Sequence, residues 1–111
     1  MGLRFLADPA AILLCSEKAA TDAGSIDVAI DVDGNVVIVG SELVSTSSNT
    51  SRIRLAKYKN DGTPTWSTTY VAASGYAWGT GIATDSWGNI YVVGLEQVSG
   101  ENDIWVRKYA P

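Results

Sequence analysis

Histidine is absent from the 111-residue chain, which also has one cysteine, one methionine and one phenylalanine. Each shortage removes a class of chemistry. Without an imidazole to move protons near neutral pH, histidine-based acid–base and triad catalysis are excluded. A lone thiol, Cys15, cannot close an intrachain disulfide, and a zinc site of His and Cys ligands lacks its donors. Positive charge is also scarce: eight Lys and Arg stand against twelve Asp and Glu, for a formal charge of −4 and a pI near 4.5. Nucleic acid and anionic membrane surfaces both demand a cationic face, so neither is expected as a main partner. Arg52, Arg54 and Lys57 come nearest to a basic patch, and on a strand that spacing reads as a solvated face. No stretch approaches the ~20 apolar residues of a membrane-spanning helix. The N-terminus also makes a poor export signal. Asp8-Pro9 interrupts it, the apolar run Ala10 to Cys15 is short, and Leu14 is too large for the position before a lipoprotein cysteine. A cytoplasmic location is therefore the default expectation.

Hydrophobic residues make up 46% of the chain, enough for one domain with a core. Their arrangement is repetitive. Asp31-Val32-Asp33-Gly34-Asn35-Val36-Val37-Ile38-Val39-Gly40 returns as Asp85-Ser86-Trp87-Gly88-Asn89-Ile90-Tyr91-Val92-Val93-Gly94. Gly34 and Gly88 lie about 54 residues apart, and Tyr58 and Tyr109 about 51, the period of a four-stranded propeller blade. Lys57 and Lys108 extend the match.

Read in order, Ile26, Val28 and Ile30 alternate with Asp27, Ala29 and Asp31, the period of a half-buried strand. Asp33-Gly34-Asn35 turns the chain, and Val36 to Val39 is apolar on both faces, so it calls for cover on both sides. Ser41 to Ser51 reads as a polar loop. Ile53 to Tyr58 is a third strand, Asn60-Asp61-Gly62 a second turn, and Thr63 to Val71 a fourth strand, with Pro64 marking it as an edge. The cycle restarts with Gly81 to Asp85, Asn89 to Gly94 and Asp103 to Tyr109, without a second fourth strand. The expected organisation is an N-terminal segment over 1–24, a first repeat over 25–75 and a second, incomplete repeat over 76–111. Asp8 to Thr21 is open to two readings. Asp8 as a cap and Pro9 at the first helical position favour a short helix, whereas the repeat spacing puts Ile12 to Cys15 in the outer-strand register of Trp66 to Thr69.

The segment from Ala77 to Gly94, with Gly81-Ile82-Ala83, Asp85, Gly88-Asn89 and Tyr91-Val92 at its centre, resembles the bacterial β-propeller repeat family known as SBBP. Asp103 with Lys108-Tyr109, and Lys57-Tyr58 with Asp61-Gly62 and Trp66, extend the resemblance to about Ser25 to Tyr109. The first copy departs from it by Asp27 in place of Gly81 and Val37 in place of Tyr91. The resemblance implies an all-β fold of two four-stranded antiparallel blades, the second lacking its outer strand, with a short N-terminal helix or a swapped N-terminal strand. Repeats of this family occur often in exported proteins.

Two blades leave broad apolar faces open, whereas propellers close with four to eight. A homo-oligomer is expected, with chains joined head to tail and one chain's N-terminal strand completing the next chain's last blade. A compact sandwich of the same strands is the alternative.

No catalytic constellation, metal site or cofactor is expected. Asp31-Val32-Asp33-Gly34-Asn35 lacks the further acidic ligands of a calcium loop. Asp31, Gly34, Asn35, Asp85, Gly88 and Asn89 read as structural turn residues. The expected function is that of a non-enzymatic self-associating or protein-binding module. A carbohydrate-binding role is the alternative. Tyr76 and Trp78, placed in the connection entering the second inner strand, would form an aromatic platform beside Glu96, Gln97, Glu101 and Asn102 in the loop from Leu95 to Asn102. The competing assignment packs the two rings between blades or subunits.

Overall fold

The computed structural model describes residues 2–7, 12–18, 23–45, 50–72 and 76–111, with β1, β2 and the ends of some neighbouring strands described by their backbone. Every regular element among them is a strand: β1 (Gly2–Ala7), β2 (Ile12–Lys18), β3 (Ala23–Ile30), β4 (Val36–Ser45), β5 (Thr50–Tyr58), β6 (Pro64–Tyr70), β7 (Ala77–Thr84), β8 (Ile90–Val98) and β9 (Glu101–Tyr109). They form a β1–β2 hairpin, a four-stranded sheet β3-β4-β5-β6 and a three-stranded sheet β7-β8-β9, all antiparallel between neighbours. These are the two propeller-like blades, the second without an outer strand.

The blades share their turn chemistry. Asp31 N–H donates to the Asn35 carbonyl and Gly34 N–H to the Asp31 carbonyl; the bonds recur between Asp85, Gly88 and Asn89 and between Lys59, Gly62 and Thr63. Gly34, Gly62 and Gly88 take φ of 82°, 92° and 84°, the left-handed residue that closes a three-residue hairpin. Asn35 and Asn89 do not take positive φ. Their side-chain amides donate instead to Asp31 Oδ2 (3.3 Å) and Asp85 Oδ2 (3.0 Å).

One core lies between the sheets. Val37, Val39, Ile53 and Leu55 of the first meet Ala77, Ile90 and Val92 of the second, with Trp66, Tyr70, Ile82, Trp105 and Tyr109 packed around them. Val36, Ile38, Ala56 and Tyr58 form a second buried cluster on the opposite face of the first sheet, so β4 is buried on both faces. The blades approach closely at Gly79, where a Cβ would meet Val39 Cγ2 at 2.6 Å and Ile53 Cγ2 at 3.1 Å.

Several local expectations need correction. Of the two readings of Asp8 to Thr21, the helix gives way to a strand over Ile12–Lys18, which pairs with β1; residues 8–11 and 19–22 lie outside the described residues. Pairing to a neighbouring strand satisfies backbone groups as well as a helix does, and it overrides a modest helix propensity. The supposed loop Ser41 to Ser51 is largely strand, because β4 runs to Ser45 and β5 starts at Thr50. The supposed loop Leu95 to Asn102 is the end of β8 and the start of β9, joined by Ser99 and Gly100 at φ 50° and 80°. That is a two-residue hairpin with both φ positive, matching the strand twist.

The largest reversal is in β3. Ile26, Val28 and Ile30 are about half exposed, while Asp27 and Ala29 are the more covered residues of that strand. Alternation sets two faces apart but does not say which one a neighbouring sheet will cover.

Candidate functional site

Because β3 and β7 lie side by side, polar groups at the inner strands meet across the boundary between blades. Asp27 Oδ1 accepts the N–H of Val28 at 2.9 Å, and Oδ2 accepts the N–H of Ile82 on β7 at 3.0 Å. Thr84 Oγ1 donates to the Ile30 carbonyl at 2.7 Å. At other points of the boundary Ser51 Oγ donates to the Ala77 carbonyl at 3.1 Å, and Tyr70 Oη donates to Glu96 Oε1 at 2.9 Å. Tyr70 also lies 5.0 Å from the Trp105 ring, with the Arg107 guanidinium 4.2 Å from the Tyr70 centroid, a favourable cation–π placement. Burial, and then the hydrogen bond to Glu96 and the Glu96 charge, push the Tyr70 hydroxyl above its ordinary pKa. Asp27 escaped the sequence reading as a functional residue, although its departure from Gly81 was the visible signal.

Asp31 and Asp85 occupy one position in the two repeats and do different things. Asp31 Oδ1 accepts Asp33 N–H at 2.9 Å and Asn35 N–H at 2.8 Å, and Oδ2 takes the buried Lys57 ammonium at 3.1 Å. Burial alone would raise the Asp31 pKa. The bonds from Asn35, Lys57 and Asp33 together outweigh it, so the carboxyl lies below its ordinary 3.8. Asp85 Oδ1 accepts Trp87 N–H and Asn89 N–H, both at 2.9 Å, but its Oδ2 takes Tyr91 Oη at 3.0 Å rather than a lysine. Lys108 instead lies 5.5 Å from the Tyr91 ring centroid. Here too the hydrogen bonds outweigh desolvation and lower the pKa. Both carboxylates are engaged within their own blades. Among the described residues no group of three or more His, Cys, Asp or Glu is placed to hold a metal.

The aromatic platform is only partly assembled. Trp78 belongs to β7 rather than to a connection, and Tyr76 makes an isolated parallel bridge to Ser51. Their rings stack, 6.0 Å apart at 25°. Trp78 pairs with Leu95, which pairs with Ile104, and Gln97 pairs with Asn102. Directly paired residues share a face, so Trp78, Leu95 and Ile104 lie together on the open face of the second sheet. Gln97 and Asn102 continue it, since Gln97 is two residues beyond Leu95 and Asn102 two before Ile104. Glu96 is not with them, because it points to the other face and accepts from Tyr70. Glu101 opposes Val98 at the hairpin end.

That open face carries the most informative contrast in the molecule. Val93, Ile104 and Val106 are 40%, 82% and 62% exposed, whereas their repeat counterparts Val39, Ile53 and Leu55 are 0%, 2% and 1% exposed at the blade boundary. Residues 66–95, from β6 through most of β8, match the family model described as SBBP, Beta-propeller repeat. The segment is similar to an SBBP-type β-propeller repeat. The SBBP-type match thus covers the outer strand of one blade and the first two strands of the next, and includes Trp66, Gly81, Asp85, Gly88 and Tyr91. No curated protein and no solved structure matches the chain.

Proposed function

We propose that the chain is a self-associating, non-enzymatic propeller module whose partner is a second copy of itself, stacked blade on blade and head to tail. The carrying observation is the one-to-one correspondence between the open face of the second sheet and a face that the first sheet already buries. Val93, Ile104 and Val106 stand where Val39, Ile53 and Leu55 pack against the next blade. The receiving surface of the second copy is the β3 side of the far face of its first sheet, where Ile26, Val28 and Ile30 are exposed beside the already buried Val36 and Ile38; Val28 is the counterpart of Ile82, which packs at the existing boundary. Heterologous contacts of this kind close into rings when the rotation between units allows it. Completion of the last blade by the next chain's N-terminal strand is a variant of the same assembly, in which β2 would leave β1 to pair with β9.

Light scattering at micromolar concentration tests this reading. The expected mass is a multiple of 11.7 kDa, and Ile104→Glu, at an exposed position, is expected to return it to one chain while leaving the circular dichroism spectrum unchanged. A monomeric mass for the unaltered chain would remove the proposal.

The stacked Tyr76–Trp78 pair with Gln97 and Asn102 on the same face favours a second reading, oligosaccharide binding, since sugar ring faces stack on aromatics. Trp78→Ala separates the two. Lost assembly supports stacking; intact assembly with lost retention on immobilised glycans supports the sugar site.

A further inference from the structure

The boundary inside the chain and the proposed boundary between copies are built from the same repeat positions but not from the same residues. Inside the chain, Asp27 holds two inner-edge N–H groups at once, Val28 of its own blade and Ile82 of the next, and Thr84 returns a hydroxyl to the Ile30 carbonyl. These five residues stitch two blades together at their innermost strands. One repeat later the position of Asp27 is held by Gly81 and that of Thr84 by Ile30 of the following copy. Neither can make the corresponding bond.

The exchange of Asp for Gly is also sterically and electrostatically matched. A Cβ on Gly81 would meet Val93 Cγ2 at 2.9 Å and lie 3.8 Å from Asp27 Oδ2. A second carboxylate there would face the first and compete for the same Ile82 N–H. Asp in one blade therefore goes with Gly in the blade after it.

We infer that Asp27, with Thr84, defines the blade pair as the indivisible unit of assembly, and that copies of the chain join through an unstitched apolar seam at which the assembly comes apart. This rests on the stacking reading for the existence of the second seam, but not for the stitch itself. A partly buried charge-assisted hydrogen bond resists opening more than apolar contact at an edge does, because opening leaves a carboxylate and an amide to be rehydrated in place of a bond between them.

Two measurements on the full chain test it. The first is amide hydrogen exchange at Ile82 in Asp27→Ala and in Asp27→Asn; the latter keeps the size of the side chain but has one acceptor oxygen for two N–H groups. Exchange at Ile82 is expected to accelerate roughly tenfold or more in both, with Val92 in the core little changed. The second is the self-association constant from sedimentation over a range of concentrations, expected to stay within about threefold of the unaltered chain, because the seam between copies does not use Asp27. Unchanged Ile82 exchange in both variants would overturn the stitch. Association weakened as strongly as by Ile104→Glu would overturn the distinction between seams. A chain monomeric throughout would remove the stacking function and with it the second seam, while the Ile82 result would still judge the stitch alone.

Discussion

Asp31 and Lys57 illustrate how much one side chain can carry here. Lys57 is buried, its ammonium is 3.1 Å from Asp31 Oδ2, and the same carboxylate holds two turn amides. Removing the charge strands a buried ammonium, so Asp31→Asn is expected to destabilise the fold by about 3 kcal/mol in urea unfolding. The pH dependence follows from the direction of the shift. The folded carboxyl titrates below the ordinary 3.8, so the unfolded chain binds more protons between the two values. The contribution is complete above 3.8 and is lost as pH falls through the lower, folded value. The urea midpoint should therefore drop as pH is lowered below about 4, and drop less in Asp31→Asn.

At the scale of elements, the turns and strand order were legible in the sequence because their causes are local. Gly34, Gly62 and Gly88 stand at positive φ, which side chains with a Cβ rarely adopt, and a four-residue apolar run such as Val36 to Val39 needs cover wherever it lies. The side of β3 that faces the core was not legible. Ile26, Val28 and Ile30 look like core residues by alternation, yet the neighbour β7 lies against the Asp27 side. The aromatic site was half legible for a similar reason: Tyr76 and Trp78 do stack, but Glu96 falls on the other face of β8 and bonds to Tyr70. The parity of a residue within a strand decides this, and a loop reading carries no parity. The close approach at Gly79 also belongs to the element scale. Gly79→Ala should push β7 away from Val39 and Ile53 and cost about 1–3 kcal/mol by overpacking, read as a lower melting temperature.

For the whole molecule, folding and association should be linked. If a second copy covers Val93, Ile104 and Val106, it binds the folded chain and not the unfolded one, so mass action stabilises the fold. The melting temperature is expected to rise by several degrees as concentration is raised a hundredfold from the micromolar range, a shift that Ile104→Glu should abolish. The driving contacts are apolar, so moderate sodium chloride should change this little and sulfate should strengthen it.

The sequence by itself determined the repeat, the hairpin turns, the all-β class and the exclusion of histidine chemistry, because each depends on residue identity or on neighbours a few positions away. Only the tertiary structure decided that Asp27 joins two blades, that Lys57 is buried while Lys108 is exposed, and that equivalent residues are core in one blade and surface in the other. Those distinctions arise from which sheet lies against which face. A repeated sequence carries the same local instructions twice, and packing alone makes the two copies differ.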